Sequence, residues 1–223
     1  MYHNKYRVYQ WKLFVLLSCS LGQQVEATFC VVDNRARIAV EAMPINQYHS
    51  SGEHMSNLPD NLILDFTGDV QDIGWKAIDD RIMGGCSQSR PEYLQGVGLR
   101  FTGTVCLDNN GGFASIRSNQ GGFDLSRYSG LKIRVLGDGH TYKLSLRTDL
   151  YYDGVSYQAS FATEAETWQE ITLPFESFAP THHGVKLTTV PLMDAAMVKS
   201  FGLFIADRQS GPFKLDIVWI KGY

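Results

Sequence analysis

From Leu62 onward the chain is written in short runs whose apolar residues recur at every second position, and clusters of Gly, Asn and Asp separate the runs. That spacing is the signature of strands with one buried face. Val97, Leu99, Phe101, Gly103 and Val105 alternate with Gly98, Arg100, Thr102 and Thr104. Leu131, Ile133 and Val135 form a second run, Tyr142, Leu144 and Leu146 a third, and Val155, Tyr157, Ala159 and Phe161 a fourth. Trp168 opens another that stops at Pro174, which cannot donate to a strand ladder. Residues 201–206 are apolar on both faces, as a central strand would be, and Phe213, Leu215, Ile217 and Trp219 alternate towards the end. Roughly ten short strands at this spacing predict an all-β, antiparallel β-sandwich of the jelly-roll kind. The segment Asp108-Asn109-Asn110-Gly111-Gly112 reads as a hairpin turn leading into residues 113–117, and Gly137-Asp138-Gly139 as a second turn of the same sort. The best helical signal, residues 192–198 after Pro191, is shorter than a typical globular helix.

Composition narrows the function classes. Of 223 residues only 19% are charged while 12% are aromatic and 21 are glycine, which argues against disorder, coiled coil and a helical bundle. A formal net charge of −3 offers no general attraction for nucleic acid or an anionic membrane, so neither partner is expected.

Residues 1–59 lack this periodicity and read as an N-terminal extension, with residues 60–223 as one folding unit. Lys5, Arg7 and Lys12 precede the apolar run 13–17, far short of the ~20 residues that span a bilayer, so no transmembrane segment is expected. Val25-Glu26-Ala27 resembles a signal cleavage site, residues 16–19 an imperfect lipobox, and the shortage of acidic residues before Glu26 a mitochondrial transit peptide. Met55 offers an internal start, which would make the protein cytoplasmic; the other readings make it mitochondrial or exported. Cys86 and Cys106 stand twenty apart with no Cys-x-x-Cys and no histidine at zinc spacing, and two reduced, buried thiols are the default reading unless the protein is exported.

Single motifs carry little chemistry. Gly96-Val97-Gly98 and Gly137-Asp138-Gly139 begin like a dinucleotide fingerprint but lack its third glycine and its helix, so they are turns. His182-His183 invites a metal reading, yet neighbours on an extended chain point to opposite faces, and a solvent-facing loop is preferred. Asp79-Asp80 with Asp108, Asn109 and Asn110 could offer oxygen ligands to calcium. Tyr151-Tyr152-Asp153 and Trp168-Gln169 could stack sugars. No catalytic, cofactor or metal residue is assigned.

Several phrases together are more specific. Asp79-Asp80-Arg81-Ile82-Met83-Gly84-Gly85-Cys86-Ser87-Gln88-Ser89, then residues 101–105 followed by Asn109-Asn110-Gly111-Gly112-Phe113-Ala114-Ser115-Ile116-Arg117, closely resemble the complex I intermediate-associated protein 30 family. Further ordered matches are Gly137-Asp138-Gly139 with residues 142–148, Trp168-Gln169 leading to Leu173-Pro174-Phe175, and residues 201–213 through Ala206-Asp207-Arg208-Gln209. The resemblance spans residues 62–221 and looks closer to compact bacterial members than to the longer mitochondrial factor. It implies a galactose-binding-like jelly roll and a non-enzymatic assembly factor or chaperone. The implied partner is a protein, a subunit or assembly intermediate of respiratory complex I (NADH:ubiquinone oxidoreductase) or a related redox complex, with no cofactor. The alternative is a carbohydrate- or small-ligand-binding module, and the weakest option a hydrolase or isomerase using Asp79 and Asp80. Two departures stand out: Cys86 replaces an expected small apolar residue, and His182-His183-Gly184 replaces an aromatic-Arg-Gly.

Polar residues inside so apolar a chain need a reason. Arg117, Arg134 and Arg147 lie on strands that reach a core, and an arginine there must either point outward between apolar neighbours or pair with a carboxylate, for which Asp79, Asp80 and Asp207 are available. The expectation is that Asp79, Asp80, Arg81, Arg147, Asp207 and Arg208 gather at one face, as loop staples or a recognition surface, with Asn109, Asn110, Arg117 and Trp168 as further candidates. A monomer is expected.

Overall fold

The computed structural model describes residues 60–68 and 74–223, together with four short strands nearer the start. Contacts divide the chain into two compact units, Met1–Leu58 and Pro59–Tyr223. In the first, β1 (Val15–Leu16) pairs with β2 (Thr28–Phe29), and β3 (Val31–Asp33) with β4 (Arg37–Ala39). The targeting and internal-start readings otherwise fall outside the described residues. Among the described residues no helix is long and apolar enough to cross a membrane.

The second unit is two antiparallel sheets. One contains β5 (Leu62–Asp65), β7 (Gln88–Leu94), β8 (Gly98–Val105), β10 (Gly130–Leu136), β13 (Trp168–Pro174) and β17 (Gly211–Gly222). Its order is β13-β10-β17-β8-β7, with β5 added beside the end of β17. The other contains β6 (Lys76–Ala77), β9 (Ala114–Arg117), β11 (Thr141–Arg147), β12 (Ser156–Ala162), β14 (Ala179–His182), β15 (Val185–Lys186) and β16 (Ser200–Ile205). Its order is β15-β14-β12-β11-β16-β9-β6. The all-β, jelly-roll expectation holds.

The inward positions of both sheets build one core. Leu99, Phe101, Ile133 and Leu215 of the first sheet and Tyr142, Leu144, Leu146, Phe201 and Leu203 of the second are fully buried. Each such side chain contributes about 1.5–3 kcal/mol relative to an exposed one. Tyr142 reaches across the sandwich to Phe101 and Phe213, both at 6.4 Å between ring centroids, and donates its hydroxyl proton to Asp138 Oδ1 at 2.9 Å.

Both hairpin readings need correction. β8 and β9 belong to different sheets, as do β10 and β11, so residues 106–113 and 137–140 are crossovers. Glycine-rich segments carry the chain over the sandwich edge because carboxylates tie them down: Asp80 holds the first, and Asp138 Oδ2 accepts the Lys214 amide of β17 at 2.7 Å in the second. The alternation in β17 also shifts phase. A register shift opposite Arg134 and Val135 moves the buried set from Phe213, Leu215 and Ile217 to Ile220, so Trp219 leaves the core and lies under the Lys221 ammonium. The short helical signal at residues 192–198 is a single 3-10 turn, Ala195–Met197. Strand β7 escaped the sequence pattern because Pro91 interrupts it; it forms an edge, where a missing N–H is tolerated.

Candidate binding groove

The crossover after β8 is knotted around two buried aspartates. The 3-10 turn Asp80–Met83 ends at Gly84, whose φ of 89° is natural only for glycine, and a Cβ on Gly85 would overlap the Asp80 carboxyl. Asp79 accepts from the Ser89 amide (2.8 Å), the Ser89 hydroxyl (2.6 Å) and the Ser115 amide (3.0 Å). Asp80 accepts from the Ser87 amide (2.9 Å) and hydroxyl (2.7 Å) and from the Gly112 (2.7 Å) and Phe113 (3.2 Å) amides. Burial would raise the Asp80 carboxyl, but these hydrogen bonds, the Ser87 hydroxyl foremost, outweigh it and hold the group below the ordinary carboxylate range. With their oxygens committed to N–H and O–H donors, these carboxylates are poor ligands for calcium and poor acid–base groups. Asn109 takes the left-handed conformation, φ 56°, within the turn Asp108–Asn110 that completes the wrap.

The same knot corrects the cysteine reading. Cys86 and Cys106 are joined in a disulfide with Cα atoms 5.4 Å apart. Ser87 lies between Asp80 and Cys106, its Oγ accepting the Cys106 amide proton at 3.0 Å, so the carboxylate that orders the crossover also seats the two cysteines within bridging distance.

Beside the knot, the outer face of the second sheet forms a groove of about 580 Å³. Its floor follows from outward residues that are small in the middle and long at the margins. Ser145 on β11 faces Gln158 on β12 and Gly202 on β16, and Gly202 faces Arg117 on β9. The Ser145 and Ser156 hydroxyls hydrogen-bond to each other at 2.6 Å and are buried. Lys143, Arg147 and Arg117 stand around this trough. The walls are Ile82 and Met83 of the 3-10 turn, Phe113, the loop between β11 and β12, the His182–His183 turn, and Asp207 with Arg208.

The expected arginine–carboxylate pairing is not what forms. Arg117 donates to the Tyr152 carbonyl at 2.9 Å and stacks over its ring at 5.4 Å; Arg147 donates to the Gly154 carbonyl at 2.6 Å. Among the described residues neither makes an ion pair, because Asp79 and Asp80 are committed to serines and amides and Asp207 pairs with Lys143 at 2.9 Å. Burial pushes the Arg147 guanidinium down to about 10, with the neighbouring Arg117 charge adding to it, and burial lowers Arg117 as well. An ion pair absent from the sequence reading is on the other sheet: Arg100 grips the buried Asp216 at 2.6 and 2.8 Å through two parallel bonds. Cross-strand register, invisible in sequence, puts them opposite.

Of the sequence candidates, Arg117, Arg147, Asp207 and Arg208 line the groove, while Asp79, Asp80 and Asn109 belong to the knot and Arg81 is exposed on its turn. Trp168 lies on the first sheet, where the Arg134 guanidinium sits 5.7 Å from its ring. The aromatic residues considered for sugar stacking are therefore divided between sheets, and of them Tyr152 lines the groove. Lys143, Gln158 and the serine floor were missed, although polar outward positions alternating with small ones along β11 and β12 carry that signal. His182 and His183 do not diverge. His183 takes φ 47° and Gly184 φ 76° in the tight β14–β15 turn, which swings the imidazoles side by side, 4.1 Å between centroids, towards Asp153.

Solved structures of similar shape are carbohydrate-binding β-sandwiches. The family 11 carbohydrate-binding module of the Clostridium thermocellum cellulase Lic26A-Cel5E aligns with a TM-score of 0.56 at 17% identity, over 73% of this chain and 95% of the module. The same module type in complex with a mixed-linked tetrasaccharide aligns at 0.53 and 18% identity, over 72% and 94%. At that identity the likeness defines the fold class, a galactose-binding-like jelly roll. A sequence model of the Complex I intermediate-associated protein 30 family matches residues 64–217, and the chain belongs to that family. The mouse mitochondrial Complex I intermediate-associated protein 30 is 30% identical over 103 residues, 44% of this chain and 31% of the mouse protein. The Neurospora crassa mitochondrial counterpart is 25% identical over 141 residues, 56% and 51% respectively. An uncharacterized Schizosaccharomyces pombe protein is 26% identical over 168 residues, 66% and 76%. The chain thus spans about a third to a half of the length of its mouse and Neurospora relatives.

Proposed function

We propose that the protein is a non-catalytic assembly factor that receives a subunit or assembly intermediate of respiratory complex I in the groove on its second sheet. The observation that carries this reading is the composition of that groove. Two partly desolvated guanidiniums, which make no ion pair among the described residues and are attracted by Asp149 and Asp153 from beyond ion-pair distance, lie behind a rim on which Ile82, Met83 and Tyr152 are all more than half exposed. Arginine, methionine and aromatic residues are the types enriched at protein interfaces, and charges whose internal partners stop short of an ion pair gain from an acidic group supplied by another molecule. Family membership supports the assembly role, and the names of the mouse and Neurospora relatives support a mitochondrial location, one of the alternatives raised by the N-terminal extension.

The test is native affinity purification of the full chain with mass spectrometry, comparing wild type with an Arg117→Met/Arg147→Met double variant. Complex I subunits retained by the wild type and lost by the variant are the expected result. Retention unchanged in the double variant, or purification with no respiratory subunit, overturns the proposal. Binding of a neutral oligosaccharide that persists in the variant would favour the carbohydrate-binding alternative.

A further inference from the structure

Asp153, His182 and His183 bring a carboxylate and two imidazoles together at the groove rim, and their nearest ligand atoms all lie within 4.8 Å of one another. His183 Nε2 is 3.0 Å and His182 Nε2 3.9 Å from Asp153 Oδ2, and His182 Nε2 is also 3.2 Å from the Asp153 carbonyl oxygen. We propose that these three side chains form a binding site for a divalent transition metal, zinc in particular.

The donor set selects the metal. Two imidazole nitrogens and one carboxylate suit zinc, whereas calcium takes oxygen ligands almost exclusively. Ligand bonds of about 2.0–2.2 Å to a tetrahedral zinc put neighbouring ligand atoms roughly 3.4 Å apart. The observed 3.0 and 3.9 Å bracket that separation, so small rotations of exposed side chains complete the geometry. Zinc has no preferred geometry of its own from d electrons, which suits a site built on two loops.

Both loops are held from behind. The Arg117 and Arg147 bonds to the Tyr152 and Gly154 carbonyls flank Asp153 on either side, and the positive φ of His183, uncommon for a residue with a side chain, is fixed by the β14–β15 turn. Three protein ligands leave a coordination position to water or to a carboxylate or imidazole from a bound molecule. Zinc affinity is set by these side chains whatever the groove receives, so the inference stands apart from the assembly reading.

The test is zinc titration by calorimetry on the full chain with its disulfide intact, alongside cobalt titration followed by visible absorption. Cysteines and histidines elsewhere make the comparison essential: wild type against Asp153→Asn, His183→Asn and a His182→Asn/His183→Asn double variant. Asparagine is chosen because it accepts positive φ, and the three side chains are 42–68% exposed, so melting temperatures should be unchanged. The expected result is one equivalent more in the wild type than in the double variant, and at least about tenfold weaker binding at that site in either single variant. Identical stoichiometry and affinity in wild type and double variant, or no saturation below millimolar zinc, overturns the site.

Discussion

The aspartate knot and the arginine groove lie side by side against the second sheet, and they treat buried charge in opposite ways. Asp79 and Asp80 accept seven hydrogen bonds between them from Ser87, Ser89, Gly112, Phe113 and Ser115. Arg117 and Arg147 carry five N–H donors each and make one hydrogen bond apiece to described residues. A charge satisfied from within can serve the fold without any ligand. A charge that is desolvated and under-satisfied costs stability until something else completes it. On the proposed reading the knot serves folding and the groove recognition, and each half of that reading can be broken separately.

The largest effect is expected at Asp80. Asp80→Ala removes one acceptor group and strands four donors, three of them backbone amides, which should cost about 3–5 kcal/mol. For a domain of this size that lowers the melting temperature by roughly 10 °C, measurable by calorimetry. Acid provides a second readout. A carboxyl held below its unfolded value contributes stability that is complete above the unfolded pKa of about 3.9 and is lost as pH falls through the lower folded value. The gap between wild type and Asp80→Ala should therefore narrow below about pH 4 and stay constant above it. A gap that does not depend on pH would mean that the loss is one of packing.

The disulfide comes next. Its partners are separated by 20 residues in sequence, and a Cys86→Ser/Cys106→Ser variant should lose about 3 kcal/mol, read as a lower urea midpoint. Asp80 already gathers both ends of this loop in the native state, so the variant should retain the wild-type near-ultraviolet spectrum. A variant that unfolds outright would make the bridge, and not the carboxylate, the organiser of the crossover.

The sandwich was legible because alternation is a local property: Leu99 and Phe101, Leu131 and Ile133, and Tyr142 and Leu144 announce their buried face within a few residues. What lay between strands was less so. The Asn109-Asn110-Gly111-Gly112 phrase reads the same whether it closes a hairpin or wraps a carboxylate thirty residues earlier, and only Asp80 decides which. The Arg100–Asp216 pair spans 116 residues and the disulfide depends on Ser87, so neither has a local signature. In the groove, the arginines stood out by their placement on apolar strands, but their partners proved to be carbonyls, which every residue carries and no sequence displays. The histidine pair misled for a related reason, since opposite facing holds only while the chain stays extended and His183 does not.

A smaller stability effect, and the sharpest division between the two regions, is expected at Arg147. Burial and the Arg117 charge bring its guanidinium down to about 10, so the protonated form is disfavoured in the fold and its charge is a net cost at every pH below that value. Replacing it with methionine, of similar length and no charge, relieves that cost and gives up the hydrogen bond to Gly154, worth about 1–2 kcal/mol. The two oppose each other, so the melting temperature should move less than in Asp80→Ala while partner retention falls. Because the two guanidiniums repel, Arg147→Met should gain less when Arg117 is already methionine, which a double-mutant cycle on thermal stability can read. If Arg147→Met instead destabilises as much as Asp80→Ala, its bond to Gly154 is a staple of the same kind as the aspartate knot. The groove would then lose the charge on which its assignment to recognition depends.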